Sequence, residues 1–152
     1  AFAQAQRDGK HVAVMYLDLD GFKQVNDAMG HDVGDQLLVQ WAKRLQAAVR
    51  QTDTVCRQGG DEFVLVLPGI HTAEQATVVA RKIMQQCAAP FVLQGVEVTV
   101  GLSGGISVYP EHGQDLDELT RHADAAMYAA KQAGRNQVRF YEGAGQPPRW
   151  VV

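Results

Sequence analysis

Two groups of acidic residues carry most of the chemistry this sequence could do. Asp18-Leu19-Asp20-Gly21-Phe22-Lys23 follows directly on an apolar run, Val12-Ala13-Val14-Met15-Tyr16-Leu17, so two carboxylates stand at the end of a candidate strand. Carboxylate oxygens with a main-chain carbonyl suit a hard divalent cation such as Mg²⁺. Asp20 has a simpler reading, as a cap on the helical turn that follows. The second group is Arg57-Gln58-Gly59-Gly60-Asp61-Glu62-Phe63. Without β-carbons at Gly59 and Gly60, a base or phosphate can lie against the backbone, with Asp61 projecting from the start of the next strand. The same residue types also make a plain hairpin tip. If the strand ending in Asp18 pairs with this hairpin, Asp18 and Asp61 can share one cation. Lys131 and Arg135 flank Gly134; either both reach one triphosphate, or they only favour the C-terminal end of a helix dipole. Arg50 and Asp53 read as an ion pair at a helix end, worth ~0–1 kcal/mol when exposed.

Other phosphate and metal chemistries are excluded by their missing signatures. There is no Gly-x-x-x-x-Gly-Lys-Ser/Thr loop, no His-Arg-Asp kinase loop and no zinc spacing of Cys or His. A calcium EF-hand fits poorly, because its loop lies between helices and needs further ligands ending in a distal Glu.

The positioning elements follow from periodicity. Residues 12–17 are continuously apolar, as in a central strand covered on both faces. Val33, Leu37, Leu38, Trp41, Leu45, Ala48 and Val49 recur at helical spacing, with Asp32 as N-cap. Residues 54–58 and 61–67 form a hairpin around Gly59-Gly60. Thr72 and Gln75 form a capping box before Ala76, Val79, Ala80, Ile83 and Cys87. Val96, Val98, Val100 and Leu102 alternate as a half-buried strand that Ile106 and Val108 continue. Asp115 and Glu118 form a second capping box, ahead of an inward stripe of Leu119, Ala126, Met127 and Ala130 that Gly134 stops. A short strand, 137–141, closes the order. Helices between strands, plus one hairpin, imply a mixed sheet with helices packed on it, an α+β (α/β) sandwich.

Composition agrees with one globular domain. The chain has 152 residues, 46% apolar and 20% charged, and a chain of that size builds a core without staples. Fourteen Lys and Arg against seventeen Asp and Glu give a formal charge of −3, which argues against binding nucleic acid through a basic face. Cys56 and Cys87 sit in apolar stretches and read as two buried thiols in a reducing compartment. No apolar run approaches a membrane span and no signal peptide opens the chain. The opening residues 1–6 read as the tail of a helix and the Pro147-Pro148 end as a linker. The expectation is a domain cut from a longer cytoplasmic protein, itself without membrane contact, although the parent can be membrane-anchored.

With the intact Gly-Gly-Asp-Glu-Phe stretch at 59–63, the chain resembles the GGDEF domains, the diguanylate cyclases. Asp18-Leu19-Asp20-Gly21-Phe22-Lys23 with Asn26-Asp27 is similar to the family's first metal motif. Gly30-His31-Asp32-Val33-Gly34-Asp35 is similar to its Gly-His-x-x-Gly-Asp segment. Residues 123–131 followed by Gly134-Arg135-Asn136 are similar to its closing helix. The resemblance implies a palm-like nucleotidyl-cyclase fold with a mixed, mainly antiparallel sheet over residues 1–143, and a tail or linker at 144–152. It implies that Asp18, the Leu19 carbonyl and Asp61 bind Mg²⁺ (with Mn²⁺ as a substitute), and that Asp61 and Glu62 are catalytic. Asn26 and Asp35 would read the guanine edge, with His31 nearby in the substrate site. Amides around Phe22, the Gly59-Gly60 backbone, Lys131 and Arg135 would hold the remainder of GTP.

Two GTP would condense to cyclic di-GMP and two pyrophosphates in a homodimer. Arg50 and Asp53 match the family's inhibitory product site, Arg-x-x-Asp, with residues 54–58 before the paired glycines. Two departures stand out: Gln58 replaces an often apolar or aromatic residue, and the family's N-terminal Asp-x-Leu-Thr-x-Leu-x-Asn-Arg stretch is absent. The alternative is a regulatory domain of a larger signalling protein that binds GTP or cyclic di-GMP without turnover.

Overall fold

The computed structural model describes residues 2–152. Its centre is β1 (His11–Asp20), whose residues 12–19 are buried on both faces, as the unbroken apolar run demands. After α1 (Phe2–Asp8) and β1 come α2 (Phe22–Met29), α3 (His31–Ala48), β2 (Thr54–Gly59), β3 (Glu62–Ile70) and α4 (Ala73–Cys87). The chain continues through β4 (Phe91–Leu93), β5 (Val96–Val98), β6 (Gly101–Tyr109), α5 (Leu116–Gln132), β7 (Gln137–Phe140) and β8 (Arg149–Trp150). The main sheet has the order β2-β3-β1-β6-β7-β8. Its pairings are antiparallel except β6 with β7. The α+β sandwich with a mixed, mainly antiparallel sheet is therefore the observed architecture.

Strand alternation divides the apolar residues between two cores. Met15, Leu17, Leu19, Phe63, Leu65 and Leu67 pack on one face with residues of α3 and α4, and Trp41 meets Phe63 edge-on at 4.8 Å. On the other face Val12, Val14, Tyr16 and Val64 pack with Leu119, Ala123 and Met127 of α5. Gly105 of β6 sets how closely α5 lies: a β-carbon there would come within 2.0 Å of the Ala123 carbonyl and 2.4 Å of the Met127 amide nitrogen.

Several local expectations change. The helix α3 starts at His31 after Gly30 (φ 94°), so Asp32 lies in the first turn and does not cap it. Residues 22–29 form a full helix rather than one turn. The run from Val96 to Val108 is two strands: β5 pairs with β4 in a separate ribbon, and β6 pairs with β1. Thr72 is the N-cap of α4 but its hydroxyl makes no capping bond; Gln75 Oε1 instead accepts from the His71 amide at 2.6 Å. Asp115 does cap α5, accepting from the Glu118 amide at 2.8 Å. Cys87 is buried, its thiol pushed up to about 11 by that burial, whereas Cys56 is exposed on the edge strand β2. Residues 144–152, read as a tail, include β8, and buried Val151 donates its amide to the Val138 carbonyl.

The Gly105 contact makes a prediction. Gly105→Ala must push backbone against backbone, so it should cost about 1–3 kcal/mol of unfolding free energy, as overpacking does. Urea denaturation of the two chains measures it, and an unchanged midpoint would show that α5 can lift freely.

Candidate active site

The antiparallel register of β1 and β3 assembles the acids. Asp18 stands opposite Glu62, and the Leu19 amide donates to the Asp61 carbonyl at 3.3 Å, which draws the hairpin turn onto the end of β1. The turn residues are Gly60 (φ 46°) and Asp61, one position later than the Gly-Gly pair suggested. Leu19's carbonyl leaves the strand on the same side as its amide, toward Asp61. Asp18, Asp61 and Glu62 thus gather at one end of two neighbouring strands.

The environment of these carboxylates is unusual. Asp18 is buried at 6% exposure. Its Oδ2 is ion-paired with Lys131 Nζ, and its Oδ1 is buried with no hydrogen-bond partner. Asp61 has its pKa raised from 3.8 to about 6, first by burial and then by the neighbouring Asp18. Glu62 Oε1 accepts from the Tyr16 hydroxyl at 2.9 Å. Burial, then that bond, moves the Tyr16 phenol well above its ordinary range. Asp124 on α5 is also raised, by desolvation first and by Asp18 against the opposing pull of Lys131.

These residues fit a Mg²⁺ ion. The site offers an orphaned buried carboxylate oxygen, a second carboxyl that resists ionisation beside it, and a main-chain carbonyl. All are hard oxygens. Among the described residues no group of three or more His, Cys, Asp or Glu side chains is placed to hold a metal ion, so an ion here would need its remaining ligands from water and phosphate.

Asp20 is not a helix cap. Gly21 (φ 82°) precedes α2 without any side-chain cap, and Asp20 turns toward β6 and the α5–β7 turn. Its Oδ1 accepts from Ser103 Oγ at 2.8 Å, its Oδ2 accepts from the Asn136 amide at 2.8 Å, and Arg135 Nη1 lies 3.8 Å from Oδ1. Lys131 and Arg135 are therefore both at the carboxylate end of β1, each beside an acid.

The other expected contacts lie around this centre. Phe22 is half-buried where α2 begins, and His31 is exposed where α3 begins. Asn26 is pressed onto Gly34, where a β-carbon would meet its Oδ1 at 1.7 Å, and that oxygen is buried without a partner. Asp35 is exposed and lines a cleft of about 540 Å³ with Leu38, Val39, Arg57 and Phe63. Gly59 and Gly60 are exposed, with open space where their β-carbons would be.

Arg50 and Asp53 are elsewhere. Arg50 bonds Asp53 Oδ1 at 2.8 Å and the Pro68 carbonyl at 2.8 Å. Pro68 lies six residues along β3 from Glu62, roughly 20 Å away at the usual rise per residue. Arg50 borders a cavity of about 410 Å³ with Lys10, Thr52 and residues of α1.

Sequence reasoning did not single out Tyr16, Ser103, Asn136 or Asp124. Only Tyr16 left a usable signal, since alternation puts it on the same strand face as Asp18 and Asp20.

Over residues 1–137 the chain matches the family described as "Diguanylate cyclase, GGDEF domain". It belongs to the GGDEF family. It is 47% identical over 144 residues to the bifunctional diguanylate cyclase/cyclic di-GMP phosphodiesterase MucR of Pseudomonas aeruginosa, covering 95% of this chain and 21% of MucR. The chain thus spans about a fifth of that relative. The crystal structure of the GGDEF domain of TpbB from P. aeruginosa superposes with a TM-score of 0.90 at 37% identity, over 93% of this chain and 88% of that one. The GGDEF domain of DgcB from Caulobacter crescentus, solved in complex with c-di-GMP, gives 0.81 at 26% identity, over 91% and 82% of the two chains. The palm-like fold is that of these domains.

The raised Asp61 carboxyl makes stability pH-dependent. The folded chain holds this proton more tightly than the unfolded one, so metal-free stability falls as pH rises from about 4 to about 6. Asp61→Asn should match the unaltered chain near pH 4. At pH 7 it should melt higher, by ~2–4 °C, the effect of ~1 kcal/mol left after solvent screening. Melting curves without metal at both pH values check this, and equal differences at the two would remove the repulsion.

Proposed function

We propose that this GGDEF domain is a Mg²⁺-dependent diguanylate cyclase that, face to face with a second copy, condenses two GTP into cyclic di-GMP and two pyrophosphates. The observation that carries the reading is the convergence of Asp18 and Asp61 beside an unpartnered carboxylate oxygen, with Lys131 against them. Asp18, Asp61 and the Leu19 carbonyl would hold Mg²⁺, whose chemistry when bound is neutralisation of phosphate charge and acidification of a 3′-hydroxyl.

The chain's own residues supply position and charge, which is most of what nucleotidyl transfer needs. Lys131 and Arg135 attract the phosphates to the end of β1. The start of α2 presents free amides near Phe22, where a helix N-terminus favours anions. Asp35, lining the cleft behind the hairpin, can accept both the N1 and N2 hydrogens of guanine, and adenine offers no such pair. Asn26, with its unpartnered oxygen, and His31 stand at the same helix pair. Glu62, held by Tyr16, is the group suited to take the 3′-hydroxyl proton as that oxygen attacks the other GTP's α-phosphorus, while Asp61 serves as a metal ligand. The bond to the pyrophosphate oxygen breaks in the same displacement. One domain holds one GTP, so two domains related by a twofold axis complete the ring.

Arg50 would serve as the inhibitory product site, its guanidinium half exposed on buried Asp53 and turned to the 410 Å³ cavity. A fork geometry of this kind suits a guanine edge or phosphate of cyclic di-GMP. The cytoplasm, which supplies GTP, is the compartment this reaction requires.

Incubation with GTP and Mg²⁺ followed by chromatography tests the reading, with cyclic di-GMP expected from a dimeric preparation. Asp61→Ala should lower product formation by at least ~100-fold, the usual loss for a central electrostatic group. GTP binding by calorimetry without any turnover would instead support the regulatory role, to which a bifunctional relative such as MucR gives a place. A second measurement addresses the product site. Arg50→Ala should raise the cyclic di-GMP concentration for half-inhibition at least ~10-fold, as loss of a charged fork does, and an unchanged inhibition curve would reduce Arg50 to a structural ion pair.

A further inference from the structure

The turn that carries Arg135 is held in an unfavourable backbone. After Gly134 (φ 120°), Arg135 (φ 63°) and Asn136 (φ 49°) are both left-handed, a conformation that residues with side chains adopt reluctantly. Such a segment persists only where its surroundings fix it. Part of the fixing is local, since the Arg135 amide donates to the Ala130 carbonyl at 3.0 Å and Gln137 Nε2 donates to the Arg135 carbonyl at 3.2 Å, and the hydrogen bonds from distant elements converge on one side chain. Asp20 accepts from the Asn136 amide through one carboxylate oxygen and from the fully buried Ser103 hydroxyl through the other, each at 2.8 Å. The Asn136 side chain closes over Gly101, where a β-carbon would meet Asn136 Oδ1 at 2.7 Å. Three elements, the end of β1, the start of β6 and the α5–β7 turn, are thereby clasped together.

We infer that Asp20 is a positioning residue for phosphate recognition: by holding the Asn136 amide and Ser103, it fixes the left-handed turn that aims the Arg135 guanidinium at the carboxylate end of β1. Arg135 itself is 59% exposed and reaches Asp20 only at 3.8 Å. It is therefore held in the right region without being consumed by a tight ion pair. With Asp20 gone, the turn relaxes toward ordinary backbone and the guanidinium points over a wider range, so the arginine's contribution to binding is diluted. Asp20 touches no substrate atom in this account. The inference rests on the reading of Arg135 as a phosphate ligand.

The effect is selective, and the selectivity tests it. Binding of a non-hydrolysable GTP analogue and of GMP, each with Mg²⁺, is measured by calorimetry on the 152-residue chain and on Asp20→Ala, Arg135→Ala and the double variant. Asp20→Ala should weaken the GTP analogue roughly tenfold, the scale of a group misplaced by a fraction of an ångström to an ångström, and leave GMP unchanged. In the Arg135→Ala background the Asp20 substitution should add little, because its target is already gone. Equal losses for analogue and GMP, or losses that simply add in the double variant, would show a merely structural Asp20 and overturn the inference. Ser103→Ala, which removes one donor of the clasp, should give a smaller loss of the same selectivity and decides the matter if Asp20→Ala does not fold. If the unaltered chain binds no GTP analogue, the phosphate reading of Arg135 fails and the inference falls with it. If it binds and Asp20→Ala binds equally well, the inference alone fails.

Discussion

Pairing β1 with β3 forces like charges together, and the surrounding architecture responds to that constraint. The register sets Asp18 opposite Glu62 and draws Asp61 in beside them. Burial first, and the neighbouring carboxylates after it, disfavour ionisation here, so the Asp61 carboxyl is pushed up to about 6. Lys131 answers part of the repulsion by reaching Asp18, and Tyr16 gives Glu62 a donor. The chain is thus built with a counter-ion of its own at the place where cation and phosphate chemistry is proposed. A site that repels itself when bare gains most from a divalent cation, so the discomfort of the acids and their proposed affinity for metal have one origin.

The two faces of the sheet divide the labour. On the side of α2 and α3 are the groups suited to a base: Asn26 pressed on Gly34, and Asp35 at the cleft that Phe63 and Arg57 share. On the side of α5 are the cation-bearing helix end and the Tyr16–Glu62 bond. Asp18 and Asp61 sit at the strand ends between them. A nucleotide spanning that edge would meet recognition on one side and charge neutralisation on the other. The Arg50–Asp53 pair, bonded to the Pro68 carbonyl of β3, lies away from this edge.

What was readable in the sequence was what depends on neighbours along the chain. The apolar run of β1, the hairpin, the helical stripes and the Asp115 cap are local patterns and emerged with small shifts of boundary. The acids of the site were readable because each stands where a strand visibly ends. The failures are non-local. Val96 to Val108 alternates without a break, yet its first part is claimed by β4 and its second by β1, and periodicity does not name a partner. Cys56 has apolar neighbours but lies on an edge strand, facing out. Asp20 looked like a cap because its true partners are 83 and 116 residues away. The end of the chain read as linker from its prolines, while the edge of β7 gave it a strand to join.

The missing side chain of Gly105 has a reach beyond its own contact. It lets the backbone of α5 rest on β6 at Ala123 and Met127, and Lys131 is one helical turn further on. The helix acts as a lever with its fulcrum at that glycine and its working end at the ammonium group. A small tilt at the fulcrum is transmitted to the tip, because a short, well-packed helix does not bend to absorb it. Drift in the sequence of this domain should accordingly be freer at the outward Ala125 and Tyr128 than at Gly105.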